Sequence, residues 1–257
     1  MTWIDALVLG LVQGLTEFLP ISSSGHLVLV QEMLDVSSPG AGLEIAVHLG
    51  TLLSVLVYYR RDVVEIVRDV FTKGPEARTG WMVVVATVPT VIVALIAKDQ
   101  IDAAFDNPLV AAFGLLLTGA ILLLTPAARR KPGKPGYGYA VIVGCAQVLA
   151  MTPGVSRSGS TIASAMFLGD DPVRAARFSF LMSIPAICGA AILGFADGGL
   201  ENGPEAGMLA LAAAVAFVTG LAAIATLIRL LGQGKLAYFG PYCVVVGAVA
   251  WFLLRGA

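Results

Sequence analysis

Gln13-Gly14-Leu15-Thr16-Glu17-Phe18-Leu19-Pro20-Ile21-Ser22-Ser23-Ser24-Gly25-His26 and, 134 residues later, Gln147-Val148-Leu149-Ala150-Met151-Thr152-Pro153-Gly154-Val155-Ser156-Arg157-Ser158-Gly159-Ser160-Thr161 decide how this sequence folds. Each stretch breaks an apolar run and is followed by a shorter one. Ile4–Leu19 precedes the first break and Leu27–Met33 follows it; Tyr137–Met151 precedes the second and Ile162–Leu168 follows it. At this offset Gln13 matches Gln147, Ser22 matches Ser156, Ser24 matches Ser158 and Gly25 matches Gly159. Backbone rich in Gly, Pro and Ser leaves N–H and C=O groups unpaired, so at membrane depth it must be enclosed by protein or line a wet cavity. Both stretches therefore read as re-entrant helical hairpins with polar tips.

The rest of the chain supplies the membrane around them. It has 257 residues, 58% hydrophobic and 13% charged, with a mean hydropathy of +0.88. A soluble domain carries about 25% charged residues. An ordinary soluble enzyme, a disordered chain and a nucleic-acid binder are excluded, and a net charge of −1 offers polyanions no bulk attraction. Six further apolar runs are long enough to span: Leu43–Tyr59, Trp81–Ala97, Leu109–Thr125, Phe178–Ala196, Met208–Ile228 and Ala237–Leu254. Three follow each hairpin. A hairpin that returns to its own side plus three crossings is an odd count, so the second half is inverted relative to the first. The expected fold is an all-α polytopic membrane protein, a single membrane domain over 1–257. Its two inverted repeats, 1–128 and 135–257, are each a re-entrant helical hairpin plus three transmembrane helices.

Charge bias supports this threading. It gathers thirteen Lys/Arg on one side, within Arg60–Arg78, Arg129–Lys134, Arg174–Arg177 and Arg229–Lys235, and leaves Lys98 and Arg255 on the other. The rich side is expected to be cytoplasmic. The N-terminus, the 99–106 and 197–205 loops and the C-terminus then face outward. The N-terminal stretch does not read as a signal peptide, because the first Lys or Arg is Arg60.

Polar residues at membrane depth are functional candidates by default, and most fall in the hairpins. In the second tip, a Gly/Ser turn opening a helix near Thr161 presents backbone N–H groups to an anion. Arg157 adds a guanidinium suited to phosphate oxygens, and Ser156, Ser158, Ser160 and Thr161 add hydroxyls. A phosphate or pyrophosphate is the natural guest; the plainer alternative is a capped helix end with Arg157 paired to Glu17. In the first tip, Gln13 and Glu17 share a helix face, where an amide oxygen and a carboxylate can hold Mg²⁺ or Ca²⁺ if the substrate completes the shell. A helix–helix hydrogen bond is the plainer alternative. Ser22, Ser23, Ser24 and His26 supply hydroxyls, a candidate nucleophile and an imidazole for proton transfer. The constellation suits phosphoester cleavage. A lipid-phosphate transporter or flippase of inverted-repeat type is the rival reading, since broken helices at the midplane suit that class equally.

The segments Gln13 to His26 and Pro153 to Thr161, together with Glu44-Ile45-Ala46-Val47-His48-Leu49-Gly50 and Arg177-Phe178-Ser179-Phe180-Leu181-Met182-Ser183-Ile184-Pro185, closely resemble the bacterial undecaprenyl-diphosphatase family of bacitracin-resistance type. The resemblance runs through nearly the whole chain. It implies interlocked inverted repeats in the bacterial inner membrane and a divalent-cation-dependent site open to the periplasm. It also implies removal of one phosphate from undecaprenyl diphosphate, which recycles the lipid carrier for peptidoglycan synthesis and confers bacitracin resistance. By position it implies Glu17 as the essential acid, Gln13 as its variable metal-site partner, Ser23 as a candidate nucleophile and His26 as the motif histidine, serving as base, acid or nucleophile; the attacking group is Ser23, His26 or a water. Ser156, Arg157 and Thr161 correspond to the diphosphate-binding loop; Ser22, Ser24, Gly154, Ser158, Gly159 and Ser160 are the further candidate substrate contacts in the two tips. The expected partners are a polyprenyl diphosphate lipid and the bilayer, with a homodimer left open.

Other features read as structural. The lipid-phosphatase pattern Ser-Gly-His with Ser-Arg-x₅-His fails, because position 163 is Ala. Cys145, Cys188 and Cys243 are isolated packing residues. Glu44 and His48, four apart, suggest a packed hydrogen bond within a span. Asp170-Asp171-Pro172 reads as a helix start, Gly10-x-x-x-Gly14 as a close helix contact, and Arg129–Lys134 as a linker between repeats.

Overall fold

A computed structural model describes residues 1–36, 42–105, 107–128, 135–196, 198 and 204–255. The described residues are helical, with no strand among them. The first hairpin is α1 (Trp3–Phe18) and α2 (Ser23–Met33). It is followed by α3 (Gly42–Tyr58), α4 (Arg60–Thr72), α5 (Ala77–Ile96), α6 (Lys98–Phe105) and α7 (Pro108–Leu124). The second hairpin is α8 (Tyr137–Leu149) and α9 (Arg157–Phe167), followed by α10 (Pro172–Ala196), α11 (Ala206–Gly232) and α12 (Phe239–Leu254).

Length separates the spans from the hairpin arms. About 20 residues are needed to cross the apolar core. Among the described residues five helices are long and apolar enough, α7 and α12 each with its adjoining 3₁₀ turn, and a sixth span arises if α3 and α4 are counted together. α3 and α4 meet at a 79° bend. The strongly amphipathic α4, which carries Arg60, Arg61 and Arg68, thus turns away from the axis of α3. The arms α1 and α8 have 16 and 13 residues, and α2 and α9 have 11 each, all short of a crossing. The exterior matches a lipid solvent: Ile4, Leu95, Ile96 and Phe252 are among many large apolar side chains left exposed.

The packing exchanges elements between the halves. α1 leans on α11, and its counterpart α8 leans on α5; α3 packs on α11, and α10 on α5; α7 and α12 pack on each other. Glycines permit the closest approaches. Gly10 and Gly14 lie against the backbone of Ala212 and Ala216, and Gly144, the counterpart of Gly10, lies against Ala86. A methyl at any of these would overlap backbone, so the Gly10-x-x-x-Gly14 contact is as expected. The α10 start is also as expected, because Asp171 Oδ1 accepts from the N–H groups of Val173 (3.0 Å) and Arg174 (3.2 Å). The Arg129–Lys134 linker lies outside the described residues, as does most of the 197–205 loop.

The main core lies beside the hairpin tips. Phe18, Tyr59, Ile162, Phe180, Met182, Ile224 and Leu227 form it, with Phe18 edge-on to Phe180 at a centroid distance of 5.4 Å. Glu17 precedes Phe18, so the chain passes directly from this dry core into the polar tip.

Candidate active site

The two tips close on each other. Gly25 sits where a methyl would come within 3.0 Å of Gly154 Cα, and Ser158 Oγ donates to Leu19 O (3.2 Å) across the contact. α7 holds the second tip from behind. Thr118 Oγ1 donates to Gly154 O (2.9 Å) and accepts from Ser156 N–H (2.9 Å), using both capacities of one buried hydroxyl. Gly154 has φ +84°, a region that favours glycine, and its backbone is pressed against Ala111.

Both short helices are capped alike. Ser22 Oγ accepts from Gly25 N–H (3.3 Å), and Ser156 Oγ accepts from Gly159 N–H (3.1 Å). Each capping hydroxyl also meets the serine two residues on, Ser24 or Ser158. The starts of α2 and α9 both border one cavity of about 210 Å³, whose lining includes Glu17, Ser23, Ser24, Ser156 and Arg157. Two helix N-termini at one cavity make it favourable for an anion.

Glu17 is the hub. It is buried; Oε1 accepts from Arg157 Nη2 at 2.5 Å, and Oε2 accepts from Ser23 Oγ at 2.6 Å and Gln13 Nε2 at 3.0 Å. The Arg157–Glu17 pair thus exists, yet Arg157 keeps a second nitrogen, Nη1, buried without a partner among the described residues. Removing one member of such a pair strands the other and costs about 3–5 kcal/mol. Ser23 O–H points at a carboxylate able to take its proton, beside a guanidinium able to hold phosphoryl oxygens.

The other expected residues are frame rather than lining. Thr161 Oγ1 donates to Arg157 O (2.7 Å) and meets Ser179 Oγ (2.7 Å). Ser22, Gly154, Ser158, Gly159 and Ser160 are buried in the tips, outside the cavity lining. His26 faces away from the cavity: Nδ1 contacts Ser22 O (2.8 Å), Nε2 contacts Tyr242 Oη (2.8 Å), and the two rings stack. A carbonyl only accepts, so Nδ1 carries the proton and, in the neutral ring, Nε2 accepts from the tyrosine. Both ring nitrogens are engaged away from Ser23.

The protein offers little to a resident cation. Among the described residues no three His, Cys, Asp or Glu side chains cluster. Gln13 turns its nitrogen toward Glu17, leaving Oε1 buried and unpartnered, and both carboxylate oxygens already accept hydrogen bonds. This donor set does not fit a divalent ion held by the protein alone.

Three polar cavity residues lie outside the expected constellation. His48 does not bond the Glu44 side chain; its Nδ1 donates to the Glu44 carbonyl (2.7 Å) and its Nε2 lies 3.8 Å from Glu17 Oε2. Thr90 and Gln147 also line the cavity, joined by Gln147 Nε2 donating to Thr90 Oγ1 at 3.0 Å. The signal for Gln147 was its repeat relation to Gln13; for His48 it was a lone imidazole four residues after Glu44.

The chain matches the family model described as bacitracin resistance protein BacA over residues 6–249. It is 40% identical to the undecaprenyl-diphosphatase of Desulfatibacillum aliphaticivorans, over 96% of this chain and 97% of that one. It is 42% identical to the enzyme of that name from Desulfosudis oleivorans, covering 98% and 99% of the two chains. Identity is again 42% to that of Christiangramia forsetii, covering 96% of each. With a family model spanning most of its length and full-length relatives well above 30% identity, the chain belongs to the bacitracin resistance protein BacA family.

Proposed function

We propose that the chain is a membrane-embedded undecaprenyl-diphosphatase, hydrolysing undecaprenyl diphosphate to the monophosphate and inorganic phosphate. The observation that carries this reading is the Ser23 hydroxyl, 2.6 Å from a buried carboxylate in a cavity shared with Arg157. The diphosphate enters at the tips while the isoprenoid tail stays among the lipid-facing helices. Arg157 and the first turns of α2 and α9 neutralise the phosphoryl oxygens. Ser23 Oγ attacks the terminal phosphorus and passes its proton to Glu17; the bond to the bridging oxygen breaks, and the lipid monophosphate leaves. Water then cleaves the phosphoserine.

Phe105 supports an outward-facing mouth. It lines the cavity from α6, in the segment that charge bias assigns outside, whereas the main core includes Tyr59, Leu231 and Leu236, near Arg60, Arg229 and Lys235. The sparse donor set is consistent with a divalent cation that arrives with the diphosphate rather than residing in the protein.

The test is phosphate release from undecaprenyl diphosphate by purified protein in detergent, with Mg²⁺, with Ca²⁺ and with chelator. Release is expected from the unaltered chain and is lost in Ser23→Ala and Arg157→Ala. A folded protein that releases no phosphate in any condition overturns the reading.

A further inference from the structure

We infer that His48 and Gln147 hold the water that completes the reaction, with His48 taking its proton. The inference rests on the phosphatase reading and adds to it the residues that serve the second half-reaction.

The argument begins with hydrogen-bonding capacity. The His48 Nδ1 proton is committed to the Glu44 carbonyl at 2.7 Å, so in the neutral ring Nε2 is the acceptor. That ring lines the cavity. Gln147 is 3% exposed and donates through Nε2 to Thr90 Oγ1 at 3.0 Å. Its Oε1 is buried with no partner among the described residues, although Gln147 borders the same cavity. Leaving a buried acceptor unsatisfied is unfavourable. Two acceptors on one cavity wall, from α3 and α8 with α5 fixing the amide, suit a ligand with two donors.

A phosphate oxyanion is the wrong guest for them, since it would meet two lone pairs. Water is the right one. Donating one hydrogen to Gln147 Oε1 and the other to His48 Nε2 leaves an oxygen lone pair for phosphorus.

The step balances. The water oxygen bonds to the phosphorus of phospho-Ser23, and its proton moves to His48 Nε2. The Ser23 Oγ–P bond breaks, and Oγ recovers the proton that Glu17 had taken. Inorganic phosphate leaves, and His48 returns its proton to solvent. The carboxylate restored at Glu17, 3.8 Å from Nε2, favours the imidazolium as it forms. Gln147 acts as a positioning residue, held by Thr90.

The experiment is rapid-quench kinetics of the full chain in detergent with undecaprenyl diphosphate, comparing His48→Ala, Gln147→Leu and Ser23→Ala with the unaltered protein. Lipid monophosphate and inorganic phosphate are measured separately, and phospho-Ser23 is sought by mass spectrometry. His48→Ala is expected to release lipid monophosphate in a burst near one per protein. Steady turnover then slows by about 10²-fold, phospho-Ser23 accumulates, and added imidazole restores the rate. Gln147→Leu is expected to accumulate the same phosphoserine with a smaller loss and no imidazole rescue. Steady turnover of His48→Ala at the unaltered rate overturns the inference, as does loss of its burst. Ser23→Ala identifies failure of the underlying reading instead: if it turns over normally, there is no phosphoserine for the water to cleave.

Discussion

The two hairpin tips share a scaffold and divide the chemistry. Ser22 and Ser156 cap α2 and α9 in the same way, onto Gly25 and Gly159, and each touches the serine two residues later. One position past the cap the tips diverge: the first has Ser23 and the second Arg157, and Glu17 reaches both. Two copies of a polar turn thus place a hydroxyl and a carboxylate on one side and a guanidinium on the other, which the proposed reaction uses as nucleophile, base and phosphate-binding cation. The backbones diverge as well. The second tip turns through Gly154 at φ +84°, whereas the first places Ser22 itself at φ 68°. Repetition supplied a buried polar break twice, and the side chains at 17, 23 and 157 are what tell the two breaks apart.

The division is tested most severely by removing one member of each tip. Arg157→Ala and Ser23→Ala should each reduce phosphate release by about 10²–10³-fold or more with helix content retained, Arg157→Ala also unfolding at lower temperature because it strands Glu17. Equal activity of either variant would mean that the tips do not share the work.

The backbone difference comes next. Gly154→Ala should destabilise by about 3 kcal/mol, through an unfavourable φ and a clash with α7. Ser22→Gly should stay within about 0.5 kcal/mol, because relief at φ 68° offsets the lost cap. Thermal unfolding in micelles reads both; similar losses would remove the asymmetry. Thr118→Val should cost about 2 kcal/mol by the same measurement, since two hydrogen bonds to the second tip disappear.

Tyr242→Phe should change turnover by less than about 10-fold, because it removes one neutral hydrogen bond from a histidine outside the cavity. A larger loss would bring His26 back into the reaction.

The smallest effect lies far from the tips, where α4 joins α5. The N–H of Glu76, and then Arg68, hold the Asp69 carboxyl below its ordinary value. Its stabilisation is complete above the unfolded value of about 4 and disappears as pH falls through the lower folded value. Hydrogen exchange in residues 69–77, corrected for intrinsic rates, should show protection falling in that window, and Asp69→Asn should abolish the dependence.

Much of this was legible beforehand because a bilayer forbids so much. Helices at the six apolar runs and the two breaks at 19–25 and 151–159 follow from the need to pair every backbone group. Glu17, Ser23 and Arg157 stood out as costly polar residues at depth. The two histidines were harder to read. His26, within the motif, turns to Tyr242, while His48, in an apolar run, faces Glu17. Both lie on helices in polar company, and nothing in the spacing says which face looks into the cavity.

By itself the sequence determined the solvent, the count of apolar runs, the paired breaks and the residue types available for phosphate chemistry. These depend on local composition, period and the cost of unpaired backbone. Only the tertiary structure decided that α1 lies on α11 and α8 on α5, that the tips touch at Gly25 and Gly154, and that Glu17 pairs with Arg157, 140 positions away in the chain. Those contacts depend on how small residues let helices approach, a property of two distant surfaces at once that no single stretch of chain contains.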